Sequence, residues 1–87
     1  MKVWARLITE EQIVKSATTE CEPFNYVHEF HACLSKLCLE LDVPTPVLLT
    51  KHIQHFVQFT NCNFLPGDFV ENVEFDKLVL ENITGKG

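Results

Sequence analysis

The chain of 87 residues is long enough for one domain and leaves no room for a second. Hydrophobic residues make up 46% of it, seven Phe among them, which is ample for a core and far from the composition of disorder. Twelve acidic residues against seven basic ones give a net charge of -5. The cations Lys2, Arg6, Lys15, Lys36, Lys51, Lys77 and Lys86 are scattered singly, whereas phosphate binding needs them clustered, so neither nucleic acid nor an anionic membrane is an expected partner. No apolar run approaches the roughly 20 residues that span a bilayer, and no early segment has the make-up of a signal peptide.

From Lys2 to Ile8 the residues alternate, with Val3, Ala5 and Leu7 on one face and Trp4, Arg6 and Ile8 on the other. Polar Thr9 to Gln12 can turn, though without an Asn-Gly or Asp-Gly pair that would fix the turn type. Ile13 to Cys21 is rich in β-branched residues and completes a hairpin. A helix is expected from Pro23 or Phe24 to Leu41, because Val27, Phe30, Leu34, Leu37 and Leu41 recur on one face, widened by Phe24 and Cys38. Asp42-Val43-Pro44-Thr45-Pro46 stops it. The same stretch predicts a restart, with Thr45 as cap and Pro46 in the first helical position. This second helix is expected to reach Phe59 and to bury Leu49, His52, Ile53 and Phe56.

Beyond Asn63 the period changes. Pro66-Gly67 favours a type II turn. Phe69 to Phe75 reads as irregular or short strand, Asp76 to Ile83 as a strand, and residues 84–87 as a frayed tail of the single domain 1–87. The fold class is therefore α+β: an N-terminal hairpin, two amphipathic helices and a C-terminal β segment, with both helices on one face of a small antiparallel sheet.

With these elements in place the chain resembles a group of short single-domain proteins of unknown function from Gram-positive anaerobic bacteria. The resemblance rests on Lys2-Val3-Trp4-Ala5 and on Leu41-Asp42-Val43-Pro44-Thr45-Pro46 running into Lys51-His52 and Phe56-Val57-Gln58-Phe59. It continues through Phe64-Leu65-Pro66, Asp68-Phe69-Val70-Glu71 and Phe75-Asp76-Lys77-Leu78. It implies a free-standing bacterial domain and brings no activity, cofactor or catalytic residue with it.

Four cysteines permit a disulfide scaffold. Cys33 and Cys38, however, stand five apart within a helix, a spacing that does not easily bridge. Without an export signal the reading is four reduced thiols and a cytoplasmic protein, where the Asn82-Ile83-Thr84 sequon is irrelevant. Cys38 is expected as a small core residue, and no local signature pairs a cysteine nucleophile with a base.

The histidines fall in two pairs at i,i+3 spacing, His28 with His31 and His52 with His55, and such a pair can reach one ion from a helix surface. Two such helices side by side would complete a tetrahedral zinc site. Against this, the chain has no Cys-x-x-Cys knuckle, and histidines flanking buried stripes are commonly filler. Asp68, Glu71, Glu74, Asp76 and Glu81 collect late without the pattern of a calcium loop, and read as a solvated face or as edge protection. Trp4 and Tyr26 are expected in the core, and Phe64, Phe69 and Phe75 are expected to fold under. The leading functional reading is a non-enzymatic protein-interaction module, homodimeric and using apolar surface or an open β-edge. The alternatives are a metal-binding protein using His28, His31, His52 and His55, or a small ligand-binding domain or enzyme with a dimer-formed pocket.

Overall fold

The alternating apolar residues near the start build strand β1 (Lys2–Thr9). A two-residue turn at Glu10 and Glu11 returns the chain as β2 (Gln12–Glu20). Both turn residues have positive φ, 52° and 65°, the type I′ geometry that matches hairpin twist and that Asn-Gly ordinarily supplies. Asp76 Oδ2 accepts the Glu10 amide at 2.8 Å and steadies the turn. Helices α1 (Val27–Leu41) and α2 (Thr50–Phe59) follow. The chain then adds β3 (Asn61–Phe64), a 3-10 turn at Pro66–Asp68 and β4 (Lys77–Asn82). These coordinates, a computed structural model, describe residues 1–24 and 26–84. The predicted tail lies outside them except for Thr84, whose Oγ1 accepts the Lys2 amide at 2.9 Å and is therefore tied down.

All strand pairings are antiparallel, in the order β2-β1-β4-β3. Directly paired residues share a face, so Val3, Ala5, Leu7, Leu78, Leu80, Cys62 and Phe64 form one apolar surface. Both helices cover it with Phe30, Cys33, Leu34, Leu37, Cys38, Leu41 and Phe56, giving one core cluster. Phe24 joins the helices through Phe30 and Phe56, with ring centroids 4.7 and 5.8 Å away. Phe64, Phe69 and Phe75 fold under as expected, the last two edge to face at 5.2 Å. Among the described residues no helix is long and apolar enough to cross a membrane.

Each helical start uses the same device. The N-cap residues Tyr26, Leu49 and Leu65 offer no side-chain hydrogen bond to the helix. Their own amides are instead accepted, three residues on, by Glu29 Oε1 at 2.9 Å, His52 Nδ1 at 3.0 Å and Asp68 Oδ2 at 2.9 Å. That is the reciprocal half of a capping box. α1 ends in a Schellman motif, with Asp42 left-handed at φ 58° and the Asp42 and Val43 amides returning to Leu39 and Cys38 carbonyls.

These details correct four expectations. α1 begins at Val27 rather than at Pro23 or Phe24, and Val27 is exposed. Thr45 and Pro46 do not start α2; the chain runs without helix or strand from Val43 to Leu49, held where the Val47 amide donates to the Asp68 carbonyl at 2.8 Å. β3 was not expected: it follows directly on the helix end read at Phe59, and four residues are too few to show a period. The Pro66-Gly67 turn is a 3-10 turn, since Asp68 supplies its cap.

A larger correction concerns the cysteines. Cys21 and Cys33 form a disulfide, with Cα atoms 6.2 Å apart, and only Cys38 and Cys62 are free thiols. Spacing within α1 had directed attention to Cys33 and Cys38, whereas the exit of β2 delivers Cys21 to the helix. The cytoplasmic reading loses the support it drew from four reduced thiols.

Candidate functional site

α2, β3 and the 3-10 turn enclose a cavity of about 280 Å³ lined by Lys51, His52, His55, Cys62, Asn63, Leu65 and Asp68. The spacing of α2 puts His52 inward, where it is 3% exposed and packs on Phe64 with ring centroids 4.3 Å apart. His52 Nδ1 accepts the Leu49 amide, which places the proton of the neutral ring on Nε2. Nε2 faces Asp68 Oδ2 at 3.5 Å, an ion-pair distance too long for a hydrogen bond. Burial lowers the His52 pKa below 6.5, and Asp68 opposes that shift without cancelling it.

Cysteine, histidine and aspartate thus share one cavity, but their wiring is wrong for nucleophilic catalysis. A thiol needs an imidazole nitrogen as base and a depressed pKa. Neither nitrogen of His52 is free to act as that base: Nδ1 accepts a backbone amide, and Nε2 carries the proton of the neutral ring, facing Asp68 without a hydrogen bond. Cys62 is almost fully buried, and burial pushes its thiol up to about 12. Cys38 is likewise raised to about 11 by burial. These thiols behave as small core residues.

The four predicted ligands divide between two places. His52 and His55 share the cavity described above, while His28 and His31 line an open groove with Val27, Pro46, Val47 and Leu48. His55 donates from Nδ1 to the Asn61 carbonyl at 2.7 Å, and His28 stacks on the exposed Tyr26 ring at 5.6 Å. Among the described residues no three of His, Cys, Asp and Glu gather where they could hold a metal ion. α1 and α2 meet at Phe30 and Phe56, with Phe24 against both rings, and the two histidine pairs line separate pockets. The late carboxylates also scatter: Asp68 caps the 3-10 turn, Asp76 braces the hairpin turn and Glu81 pairs with Arg6 at 3.1 Å.

Sequence reasoning undervalued the other face of the sheet. Trp4, expected in the core, stands there half-buried beside Arg6 and Ile8, and directly paired residues add Thr18, Ser16, Ile13, Glu81, Val79 and Lys77. The Arg6 guanidinium lies 4.2 Å from the Trp4 ring centroid, a cation–π contact, and its Nε is buried without a hydrogen-bond partner. Neither helix packs on this side, so none of these residues belongs to the core cluster. The clue was in the first eight residues, where strict alternation put Trp4, Arg6 and Ile8 opposite an apolar face.

The outer edge of β2 is a poorer docking element. A register shift leaves Val14 without a partner on β1, and Lys15 reaches inward to the Leu41 carbonyl at 3.3 Å. A bulge and an inward lysine are both devices that discourage strand addition. No protein-family model, curated protein or solved structure matches the chain.

Proposed function

We propose that the protein is a non-enzymatic interaction module that docks another protein surface on the uncovered face of its sheet. The observation that carries this reading is that both helices pack on one face and leave Trp4, Arg6, Ile8 and Val79 at the centre of the other. A sheet face that no helix covers, with a half-buried aromatic-arginine pair, has the composition of a protein interface, where Trp, Tyr and Arg supply most anchors. The wiring of His52 and the protonated Cys62 thiol leave the cavity without an activated thiol, which favours binding over cysteine catalysis.

Photo-cross-linking tests the reading. A cross-linkable side chain at Ile8 should capture one discrete protein species in cells of the source organism. The same group at Leu39, 82% exposed on α1, should not. Equal and diffuse labelling at both positions would remove the sheet face as the docking surface.

A further inference from the structure

We propose that His52 is a proton-operated latch: neutral, it holds the start of α2 closed, and protonated, it releases that start and grips the 3-10 turn at Asp68 instead.

The latch is built from contacts on the two sides of one buried ring. On one side, Nδ1 accepts the Leu49 amide at 3.0 Å, the bond that ties the connector to the first turn of α2. On the other, Nε2 faces Asp68 Oδ2 at 3.5 Å and has no hydrogen-bond partner. Asp68 is itself fixed in place. Its Oδ2 accepts the Leu65 amide at 2.9 Å, and its carbonyl accepts the Val47 amide at 2.8 Å. The ring therefore lies between a donor that needs a bare nitrogen and a carboxylate oxygen that has room for a second donor.

A proton reverses which side holds the ring. Imidazolium has two N–H donors and no acceptor, so the Leu49 amide is left facing another donor. The contact with Asp68 becomes an ion pair and can shorten from 3.5 Å to about 2.8 Å, the length of a charge-assisted hydrogen bond. Since the two nitrogens point to different sides of the ring, a shift of under about 1 Å toward Asp68 closes one contact and opens the other. The exchange is local. Asp68 keeps Leu65 and Val47, so the 3-10 turn and the middle of the connector stay in place while Leu49 loses its acceptor. Leu48, next to the released amide, belongs to the wall of the open groove that holds His28 and His31 of α1.

The titratable groups that share the cavity with the ring are Asp68 from the 3-10 turn, Lys51 and His55 from α2, and Cys62 from β3. Burial opposes the proton on His52 most strongly, Asp68 favours it, and Lys51 opposes it. His55 is turned to the Asn61 carbonyl, and Cys62 stays a neutral thiol. The latch is therefore closed at neutral pH and opens below pH 6.5.

Amide hydrogen exchange read by NMR tests this on the whole chain from about pH 7.5 to about pH 5, with rates corrected for the intrinsic pH dependence of exchange. The ring-proton shifts of His52 report its titration in the same samples. As His52 gains its proton, the Leu49 amide should lose about tenfold or more of its protection. The Leu34 amide in α1 and the Leu80 amide in β4 should keep theirs. In His52→Gln, whose side-chain oxygen accepts from Leu49 at every pH, Leu49 should stay protected throughout. In Asp68→Asn, whose oxygen still accepts from Leu65 but carries no charge, release should move to lower pH. Circular dichroism confirms that both variants are folded. A Leu49 amide still protected once His52 has titrated overturns the latch. Loss of protection at Leu34 and Leu80 in step with Leu49 also overturns it, because that is acid unfolding of the whole domain. Release at an unchanged pH in Asp68→Asn overturns the carboxylate as the second grip.

Discussion

The two faces of the sheet are made by the same strands and do opposite things. On β1, Val3, Ala5 and Leu7 have almost no exposure and meet the helices, while Trp4, Arg6 and Ile8, one residue out of phase, face away from them. On β4 the same phase separates inward Leu78 and Leu80 from outward Lys77, Val79 and Glu81, although Val79 is itself buried. A strand in a two-layer domain has its inward residues dictated by packing, whereas its outward residues are free to carry other information. Here they carry the Trp4–Arg6 pair and the charges of Lys77 and Glu81. That contrast locates the core on one face and leaves the other to the docking proposed above.

The largest test of this contrast is on the inward side. Leu80→Ala or Leu34→Ala, each side chain about 1% exposed or less, should cost about 2–5 kcal/mol because it leaves a cavity in close-packed surroundings. Chemical denaturation measures it, and a loss under 1 kcal/mol would mean that this face repacks freely. Removing the Cys21–Cys33 bond, which closes a loop of sequence separation 12, should cost about 3 kcal/mol of unfolding free energy. Paired melts with and without reductant, and of Cys21→Ser with Cys33→Ser, check this.

His52 should come next. His52→Ala removes the acceptor of the Leu49 amide and should cost about 1–2 kcal/mol on that account. Its folded pKa lies below that of the unfolded chain, so the native state binds fewer protons near neutrality. Stability is therefore full above pH 6.5 and falls as the pH drops through the lowered folded value. Protonation also puts a hydrogen on Nδ1, where the Leu49 amide already donates. Melting temperatures from pH 7.5 to pH 5 should fall for the wild type and flatten for His52→Gln, whose amide oxygen can still accept from Leu49. A wild-type slope unchanged in His52→Gln would assign the pH dependence to other groups.

The hairpin turn should respond in the opposite sense. Glu10→Asn with Glu11→Gly suits two positive φ values and should stabilise by about 1 kcal/mol. On the outward face, Ile8→Ala should change the stability of the isolated chain by less than about 1 kcal/mol. A core-sized loss there would dissolve the division between the faces.

How much of this was legible follows from which interactions are local. Val3, Ala5 and Leu7, and Phe30, Leu34, Leu37 and Leu41, announce their elements because a buried face repeats within one strand or helix. The start of α2 did not announce itself, since Thr45-Pro46 has the residue types of a cap while the capping atom belongs to His52, three residues inside the helix. The disulfide was equally hidden, because the hairpin rather than the spacing of cysteines brings Cys21 to Cys33. For the candidate site, helical spacing correctly put His52 inward, but its link to Asp68 crosses from α2 to a turn that no period reveals. Trp4 was misplaced in the core because aromatic residues are usually buried, and only the topology shows that its face is uncovered.

The position of β4 between β1 and β3 has a consequence for how the domain is made. It is translated after every other described element, yet two of the three strand pairings depend on it. On the ribosome, the hairpin and both helices emerge with β1 open along one side and β3 without any strand partner. Closure then requires a long-range pairing of residues such as Val3 with Asn82, the kind of contact that slows folding. The apolar face therefore stays unfinished until β4 is made, an interval in which chaperones act and aggregation begins.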